Sequence, residues 1–141
     1  MVYCPGTINL KPFQQLSDDD FKKDFEINIL GAVRMIRHFY QILRKGKPSS
    51  IVLFSTVAVG QCMSFHTSVS AAKGAVEGLT RSLAAEFAPA IRVNAIAPSL
   101  TDTRLSEKIL NSEEKREAGN KRHPLGRFGE PEDIANMASF L

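Results

Sequence analysis

The feature that most constrains the fold is an apolar run at residues 51–54 (IVLF), in which polar and apolar side chains do not alternate. A strand that is apolar on both faces is covered by helices on both sides, as in a parallel sheet. Ser55 and Thr56 follow this run directly, and Lys73 lies near the start of the next helical pattern. Hydroxyl groups at the carboxyl end of a parallel strand, facing a lysine on a helix, predict the ligand-binding crevice of an α/β protein.

Two long helical patterns flank this strand. The first covers residues 18–44, where Ser17 is the predicted N-cap, aspartates fill the first turn and apolar residues recur every three or four positions. The second covers residues 68–88 and is rich in small side chains, including Gly74 and Gly78 in its interior. A glycine inside a helix costs about 1 kcal/mol relative to alanine, so we expect another element to pack closely against this helix.

Two further strands complete the predicted sheet. Residues 2–4 form a short buried strand that a Pro-Gly turn ends, and residues 91–97 form a third buried strand. After it we expect a short charged helix within residues 105–118 and a last helix that begins at Pro131. The order β-α-β-α-β-α predicts a single domain over residues 1–141, with a parallel sheet and right-handed crossovers.

Composition argues against several classes of function. The chain has a net charge of +3 with its basic residues interleaved with acids, so we expect a solvated surface and no nucleic-acid partner. No apolar run reaches the roughly 20 residues that cross a membrane, and the N-terminus has no signal pattern, so we expect a cytoplasmic protein without a membrane partner. Cys4 and Cys62 lack partners at metal-ligand spacing. We interpret them as buried free thiols and expect no metal site.

Six stretches, in order along the chain, resemble the short-chain dehydrogenase/reductase family from its fourth strand onward. They are CPG at residues 4–6, DFEINILGA around Asn28, IVLFSTVAVG, SAAKGAVEGLTRSLAAEFA with Lys73, RVNAIAPSLTDTRL and PLGRFGEPEDIA. Together they cover nearly all of the chain. The resemblance implies an α/β fold that is a partial Rossmann-like, doubly wound, three-layer structure, in which the parallel sheet lacks the N-terminal strands.

The chemistry of that family is hydride transfer between a nicotinamide cofactor, NAD or NADP, and a carbonyl or alcohol substrate. The resemblance implies that Asn28 and Lys73 are catalytic residues. It also implies that Thr56, with Ser55 as its neighbour and substitute, supplies the hydroxyl that orients the substrate oxygen. In the family the lysine lowers the pKa of a tyrosine that transfers a proton.

The cofactor-binding residues implied by the resemblance lie on two elements. Lys73 matches the lysine that bonds the nicotinamide ribose. The loop after the third strand matches the segment at the nicotinamide carboxamide, and its matching residues are Pro98, Ser99 and Thr103, with Ser99 in place of the family's glycine. The family's Gly-xxx-Gly-x-Gly turn, which holds the pyrophosphate, has no counterpart in this sequence. We therefore expect weak or absent dinucleotide binding by this chain.

One position departs from the family's chemistry. The proton-transferring tyrosine of the family stands four residues before the lysine, and Val69 occupies that position here. Valine cannot donate, accept or ionise. His66 titrates near neutral pH but lies outside the i, i+4 relation to Lys73, and Ser70 is turned about 100° away from the required helix face. Replacement of the tyrosine by His66 is an open alternative at this point.

The resemblance leaves two functions in competition. The chain is an oxidoreductase of this family or a truncated piece of one, or it is a catalytically inactive dehydrogenase-like protein that forms oligomers. Exposed strand edges and apolar faces invite pairing with another chain. We therefore expect a homodimer or homotetramer that forms through the helices at residues 18–44 and 68–88, because the matching helices of the family commonly pair between subunits.

Overall fold

The computed structural model describes residues 1–46 and 48–141. The elements follow in this order: a 3₁₀ turn at Phe13–Gln15, α1 at Asp18–Phe25, a π-helical segment at Glu26–Leu30, α2 at Gly31–Lys45, β1 at Ser49–Phe54, α3 at Ala58–Gln61, α4 at Thr67–Phe87, β2 at Ile91–Ile96, a 3₁₀ turn at Arg104–Ser106, α5 at Glu113–Lys121 and α6 at Pro131–Phe140. Strands alternate with helices, so the expected α/β class is confirmed.

The sheet consists of β1 and β2, which pair in parallel from Ser49 opposite Ile91 to Phe54 opposite Ile96. Helix α4 makes the crossover between them. The predicted first strand at residues 2–4 is reduced to one parallel bridge between Val2 and Val52. Because the proline and glycine that follow end the extended segment so early, this strand is neither as long nor as buried as predicted.

The long helix predicted for residues 18–44 is continuous, but its hydrogen-bond pattern changes from α to π and back to α. Ser17 accepts a hydrogen bond from the Asp20 amide, and the Asp20 side chain accepts one from the Ser17 amide, which confirms the predicted N-cap as a capping box. After α1 the chain widens into the π-helical segment and then resumes as α2. A π segment inside a helix frequently marks a functional site, and this one contains Asn28.

The core lies between the sheet and helices α2 and α4. Its buried apolar side chains come from all four elements: Ala32, Ile36, Ile51, Leu53, Val76, Ile91 and Val93. Val52, on the opposite face of β1, is also buried, so β1 is covered on both faces as predicted. In β2, by contrast, Arg92 is exposed. The prediction of full burial for this strand is wrong because Arg92 points to the face of β2 opposite the buried side chains of Ile91 and Val93.

Two packing expectations are also corrected. Cys4 and Cys62 are free thiols but both are exposed, so they are not the buried thiols predicted from their apolar neighbours. A Cβ at Gly78 would have no atom within 4 Å apart from its own helix, so no described element packs closely there. None of the described helices is long and apolar enough to cross a membrane.

Candidate active site

Lys73 is a buried lysine on the second turn of α4, with 7% of its surface exposed. Its Nζ donates a 2.8 Å hydrogen bond to the carbonyl oxygen of Phe54, the last residue of β1. It belongs to none of the ion pairs among the described residues. Burial without a carboxylate partner lowers the pKa of Lys73 to about 8.

Asn28 faces the same place from the π-helical segment. Its Nδ2 donates to the Asp24 carbonyl oxygen at 2.7 Å and to the Thr7 hydroxyl at 2.8 Å. A backbone carbonyl can only accept, so this contact fixes which end of the amide is nitrogen. The Asn28 Oδ1 is buried without a hydrogen-bond partner. Asn28 is therefore held by its donors while its acceptor remains available.

Gly6 forms the floor between these two residues. A methyl group at Gly6 would lie 3.4 Å from Asn28 Oδ1 and 3.4 Å from Lys73 Nζ, and within 4 Å of no other described atom outside Gly6 and its chain neighbours. Both polar atoms therefore lie close to Gly6, on the same side of its backbone. The structure brings the sequence-predicted residues Asn28 and Lys73 together at this point.

Thr7 and Asp24 are parts of the site that the sequence did not reveal. The Thr7 hydroxyl donates a 2.6 Å hydrogen bond to Asp24 Oδ1 and accepts one from Asn28. Asp24 is only 1% exposed, and its Oδ2 has no partner. The one available signal was the spacing of four residues between Asp24 and Asn28, which places both on one helix face.

The two hydroxyls after β1 have different roles in the structure. Ser55 is buried and donates its proton to Glu77 Oε1 at 2.6 Å. Thr56 Oγ1 accepts a hydrogen bond from the Ala58 amide at 3.3 Å, which leaves the Thr56 proton free to be donated. Thr56 is therefore the hydroxyl that can bind a substrate oxygen. The sequence suggested no role for Glu77.

Val69 is buried one turn before Lys73 and places an apolar wall where the family has its tyrosine. His66 immediately precedes α4, with Nδ1 2.7 Å from the Ser64 carbonyl oxygen. It lies seven positions before Lys73, which is roughly 10 Å along the helix axis. The Ser70 hydroxyl donates to the Ala58 carbonyl oxygen at 3.4 Å. Neither side chain takes the position of the missing phenol.

The loop after β2 is anchored at both ends. The Pro98 carbonyl oxygen accepts from the Val57 amide at 3.1 Å, which joins the loop to the end of β1. The Ser99 hydroxyl lies 2.8 Å from His123 Nε2. Thr103 precedes the 3₁₀ turn, and its amide donates to Ser106 Oγ at 3.0 Å. The structure thus places Pro98 beside the Thr56 segment, whereas Ser99 and Thr103 are engaged with the segments that follow them.

Comparison with known proteins identifies the family. The family model described as enoyl-(acyl carrier protein) reductase matches residues 1–141. The chain belongs to the short-chain dehydrogenase/reductase family. Two tropinone reductase homologs of Arabidopsis thaliana are 34% and 36% identical to the chain over 137 residues, which are 96% of its length.

Solved structures show the same family relationship. A short-chain dehydrogenase/reductase of the glucose/ribitol dehydrogenase type from Brucella melitensis matches 99% of the chain with a TM-score of 0.91 and 30% identity. The protein ElxO with NADP bound matches 99% of it with a TM-score of 0.89 and 27% identity. The chain covers 56% and 58% of these two structures and 51% and 52% of the two Arabidopsis relatives. It therefore spans about half the length of its relatives.

Proposed function

We propose that this protein is an oxidoreductase of the dehydrogenase/reductase type, or part of one, and acts on a carbonyl or alcohol substrate with NAD or NADP. The observation that carries the proposal is the meeting of Lys73 Nζ and Asn28 Oδ1 at Gly6, close to the end of β1. When bound, the dinucleotide supplies or accepts the hydride. Residues 1–141 act as one domain in this proposal.

The residues present fit the nicotinamide half of such a cofactor. The Asn28 oxygen is buried without a hydrogen-bond partner, and this oxygen and the Lys73 amine both lie next to Gly6. Lys73 would hold the ribose, and the segment from Pro98 to Thr103 would face the carboxamide. Because this sequence has no glycine-rich pyrophosphate turn, we propose that the 141-residue chain alone binds the dinucleotide weakly or not at all.

The Thr56 hydroxyl orients the substrate in this proposal, because its proton is free, whereas the Ser55 hydroxyl donates its proton to Glu77. Val69 provides no proton for the oxygen that gains charge. General acid catalysis typically contributes about 10²–10⁴-fold to a rate, so turnover in this protein is slow.

The exposed apolar side chains of the first helix support a homo-oligomer, as a dimer or tetramer that forms through the helices at residues 18–44 and 68–88. Met35 and Ile42, seven residues apart on one face of α2, are 41% and 67% exposed. The open space at Gly78 allows a second helix to approach α4. We further propose a cytoplasmic location, since free exposed thiols at Cys4 and Cys62 suit a reducing compartment.

The decisive experiment measures oxidation of NADH and NADPH with a panel of ketones and aldehydes, using the protein expressed from its whole gene. The variants are Val69→Tyr, which restores the phenol, and Lys73→Met, which removes the amine. We expect slow turnover that Val69→Tyr raises by about 10²-fold or more and that Lys73→Met abolishes. Turnover that is unchanged in Lys73→Met contradicts the proposed site.

A second candidate function is that of a non-catalytic protein that forms oligomers. Val69 favours it, because valine cannot transfer a proton. It predicts that neither the natural protein nor Val69→Tyr transfers hydride to any substrate in the panel. It also predicts that the protein sediments as a dimer or tetramer, and that Ile42→Glu on the exposed face of α2 shifts it toward the monomer. Hydride transfer by the unmodified protein excludes this candidate.

A further inference from the structure

Ser99 and His123 form a hydroxyl–imidazole pair that the proposed hydride transfer does not use. The Ser99 Oγ lies 2.8 Å from His123 Nε2, and His123 Nδ1 lies 2.8 Å from the carbonyl oxygen of Gly119. A backbone carbonyl can only accept a hydrogen bond, so in the neutral ring Nδ1 carries the proton and Nε2 carries the lone pair. The Ser99 hydroxyl therefore donates its proton to His123 Nε2.

These three groups stand in the order that activates a serine. A hydroxyl, a base within hydrogen-bond reach and a third group that orients the base are the parts of a Ser-His-Asp triad. Here the Gly119 carbonyl oxygen takes the orienting position of the carboxylate. It holds the imidazole in the same tautomer as the carboxylate does. Because it carries no full charge, it stabilises a protonated His123 less than an aspartate would.

The segments that carry the two residues are joined by contacts other than their own hydrogen bond. Arg116 on α5 forms an ion pair with Asp102, three residues after Ser99, at 2.6 Å. His123 follows the end of α5, and its amide donates to the Asn120 carbonyl oxygen at 3.0 Å. The loop with Ser99 and the helix end with His123 are therefore held in place before the side chains meet, which is the preorganisation that a catalytic pair requires.

The surroundings of Ser99 allow a reactant to reach it. Ser99 is exposed. The amide of Leu100 has no acceptor among the described residues, and the amide after a nucleophilic serine is a donor to the developing oxyanion in α/β-hydrolases. Leu125 is highly exposed and lies in the turn that the Gly126 amide closes by donating to the His123 carbonyl oxygen at 2.9 Å. This turn adds an apolar side chain two residues after the base.

We propose that Ser99 is a nucleophile toward small activated esters and that His123 is its general base. The activity requires no dinucleotide and does not rest on the proposed hydride transfer. The substrate class is an aryl ester of a short carboxylic acid, because a base oriented by a carbonyl oxygen needs a substrate with a good leaving group. The family has glycine where this chain has Ser99, so the hydroxyl belongs to this sequence and not to the shared chemistry.

The reaction balances with water as the co-reactant. Ser99 Oγ forms a bond to the acyl carbon while its proton moves to His123 Nε2, and the carbonyl oxygen becomes an oxyanion. The bond from the acyl carbon to the aryl oxygen then breaks, and the phenol leaves with the proton from Nε2. Water next attacks the acyl carbon and gives a proton to Nε2, and Ser99 Oγ takes this proton back as the carboxylic acid leaves. Ester plus water gives carboxylic acid plus phenol.

The first test treats the natural protein with a biotinylated fluorophosphonate, whose fluoride a serine oxygen displaces, and measures labelled peptides by mass spectrometry. Ser112 is the internal reference, since it is exposed and its Oγ accepts a hydrogen bond from the Lys115 amide. We expect Ser99 to be labelled at least about tenfold faster than Ser112 in the same molecules. Equal labelling of the two serines, or no labelling at Ser99, overturns the proposal. Both rates come from one unmodified protein, so the result does not depend on whether a variant folds.

The second test removes the base. We expect His123→Gln to slow the labelling of Ser99 by about tenfold or more and to leave the labelling of Ser112 unchanged. His38→Gln, at an exposed position of α2, is the matched control and should change neither rate. Labelling of Ser99 that persists at its original rate in His123→Gln overturns the role of His123.

The third test measures hydrolysis of p-nitrophenyl acetate without any dinucleotide. We expect Ser99→Gly, which restores the family's residue, to lower the rate of the protein by about tenfold or more. Ser112→Ala should leave that rate unchanged. Hydrolysis that is equally fast in Ser99→Gly contradicts the ester-cleaving activity. Loss of hydride transfer in the earlier assay would leave all three results unaffected.

Discussion

Ser55 at the end of β1 donates a 2.6 Å hydrogen bond to Glu77 on α4, 22 residues further along the chain. One turn earlier on the same helix, Lys73 donates to the carbonyl oxygen of Phe54. Phe54, the last residue of β1, and Ser55, which follows it, are thus bonded to two helix residues that are four apart. These two hydrogen bonds hold helix α4 against the end of β1 and so fix the position of the Lys73 amine. Glu77 therefore contributes to the site, although it is not among the catalytic residues that the family resemblance implies.

Replacing Glu77 tests this pairing. We expect Glu77→Ala to lower the free energy of unfolding by about 1–2 kcal/mol, because the buried Ser55 hydroxyl would keep only its long 3.5 Å hydrogen bond to the Lys73 carbonyl oxygen. Glu77→Gln keeps an acceptor oxygen and is expected to cost less than half as much. Denaturant unfolding measures both. Glu86→Ala, at an exposed position of the same helix, is the matched control, and equal effects of Glu77→Ala and Glu86→Ala would contradict the pairing.

The burial of Lys73 makes stability depend on pH. The pKa falls from 10.5 in the unfolded chain to about 8 in the folded one, so between these values the unfolded chain binds a proton that the folded chain has lost. Stability from this group therefore rises with pH across that window, and below pH 8 the cost of burying the charge is fully present.

Lys73→Met is the variant that reveals this cost. At pH 7 we expect it to be more stable than the natural chain by about 1–2 kcal/mol, after allowing for the lost bond to Phe54. The difference should shrink as the pH approaches 10. Lys108→Met, at an exposed lysine, is the control and should change stability by less than about 0.5 kcal/mol at either pH. A Lys73→Met advantage that does not vary with pH would refute the assigned cause.

Gly31 is required by the side chain of Tyr3, in the N-terminal segment. A Cβ at this position would overlap the Tyr3 hydroxyl and lie 3.1 Å from Tyr3 Cζ, while that hydroxyl donates a 2.7 Å hydrogen bond to the Ile27 carbonyl oxygen. We expect Gly31→Ala to destabilise the fold by about 1–3 kcal/mol, although alanine is the better helix former.

Tyr3→Phe distinguishes this overlap from a general effect on the helix. Removing the hydroxyl relieves the closest contact, so Gly31→Ala should cost less in the Tyr3→Phe background than in the natural one. Thermal or denaturant unfolding of the four proteins gives the coupling energy. If the two substitutions are additive, the overlap between these two residues is not the reason for the glycine.

Thr7 connects the buried carboxylate of Asp24 to the amide of Asn28. Thr7→Val removes the hydroxyl and keeps the shape, which leaves both Asp24 oxygens without a partner. We expect a loss of about 2–3 kcal/mol in unfolding free energy. Thr7→Ser keeps the hydroxyl and should retain most of the stability. Serine and valine variants of equal stability would show that the hydrogen bonds of Thr7 contribute nothing measurable.

Much of the fold followed from patterns that are local in the sequence. The capping residues around Ser17, the unbroken apolar run of β1 and the three- and four-residue spacing of the first helix each act over a few residues, so they predicted their elements well. The order of motifs also identified the family before any contact was known. The winding change at Asn28 was not predicted, because a single π-helical turn shifts the apolar spacing of three and four residues too little to be recognised in the sequence.

The contacts that define the site could not be predicted from local sequence patterns. Thr7 meets Asp24 across 17 residues and Ser55 meets Glu77 across 22. No periodicity joins such pairs, and an aspartate or glutamate on a helix is more often solvated than buried. The exposure of Cys4 and Cys62 was misjudged for a related reason: small apolar neighbours in sequence do not determine which side chains another element covers.

The sequence by itself therefore determined the order and type of the elements, the family and the replacement of a tyrosine by Val69, because all of these are properties of residue identity and local spacing. Only the tertiary structure decided that Lys73 is buried without a carboxylate, that its amine and the Asn28 oxygen both lie next to Gly6 and that the Thr56 proton is free while that of Ser55 is not. Hydrogen-bond partners and desolvation depend on how the helices pack on the sheet, and these two factors set the reactivity of the site.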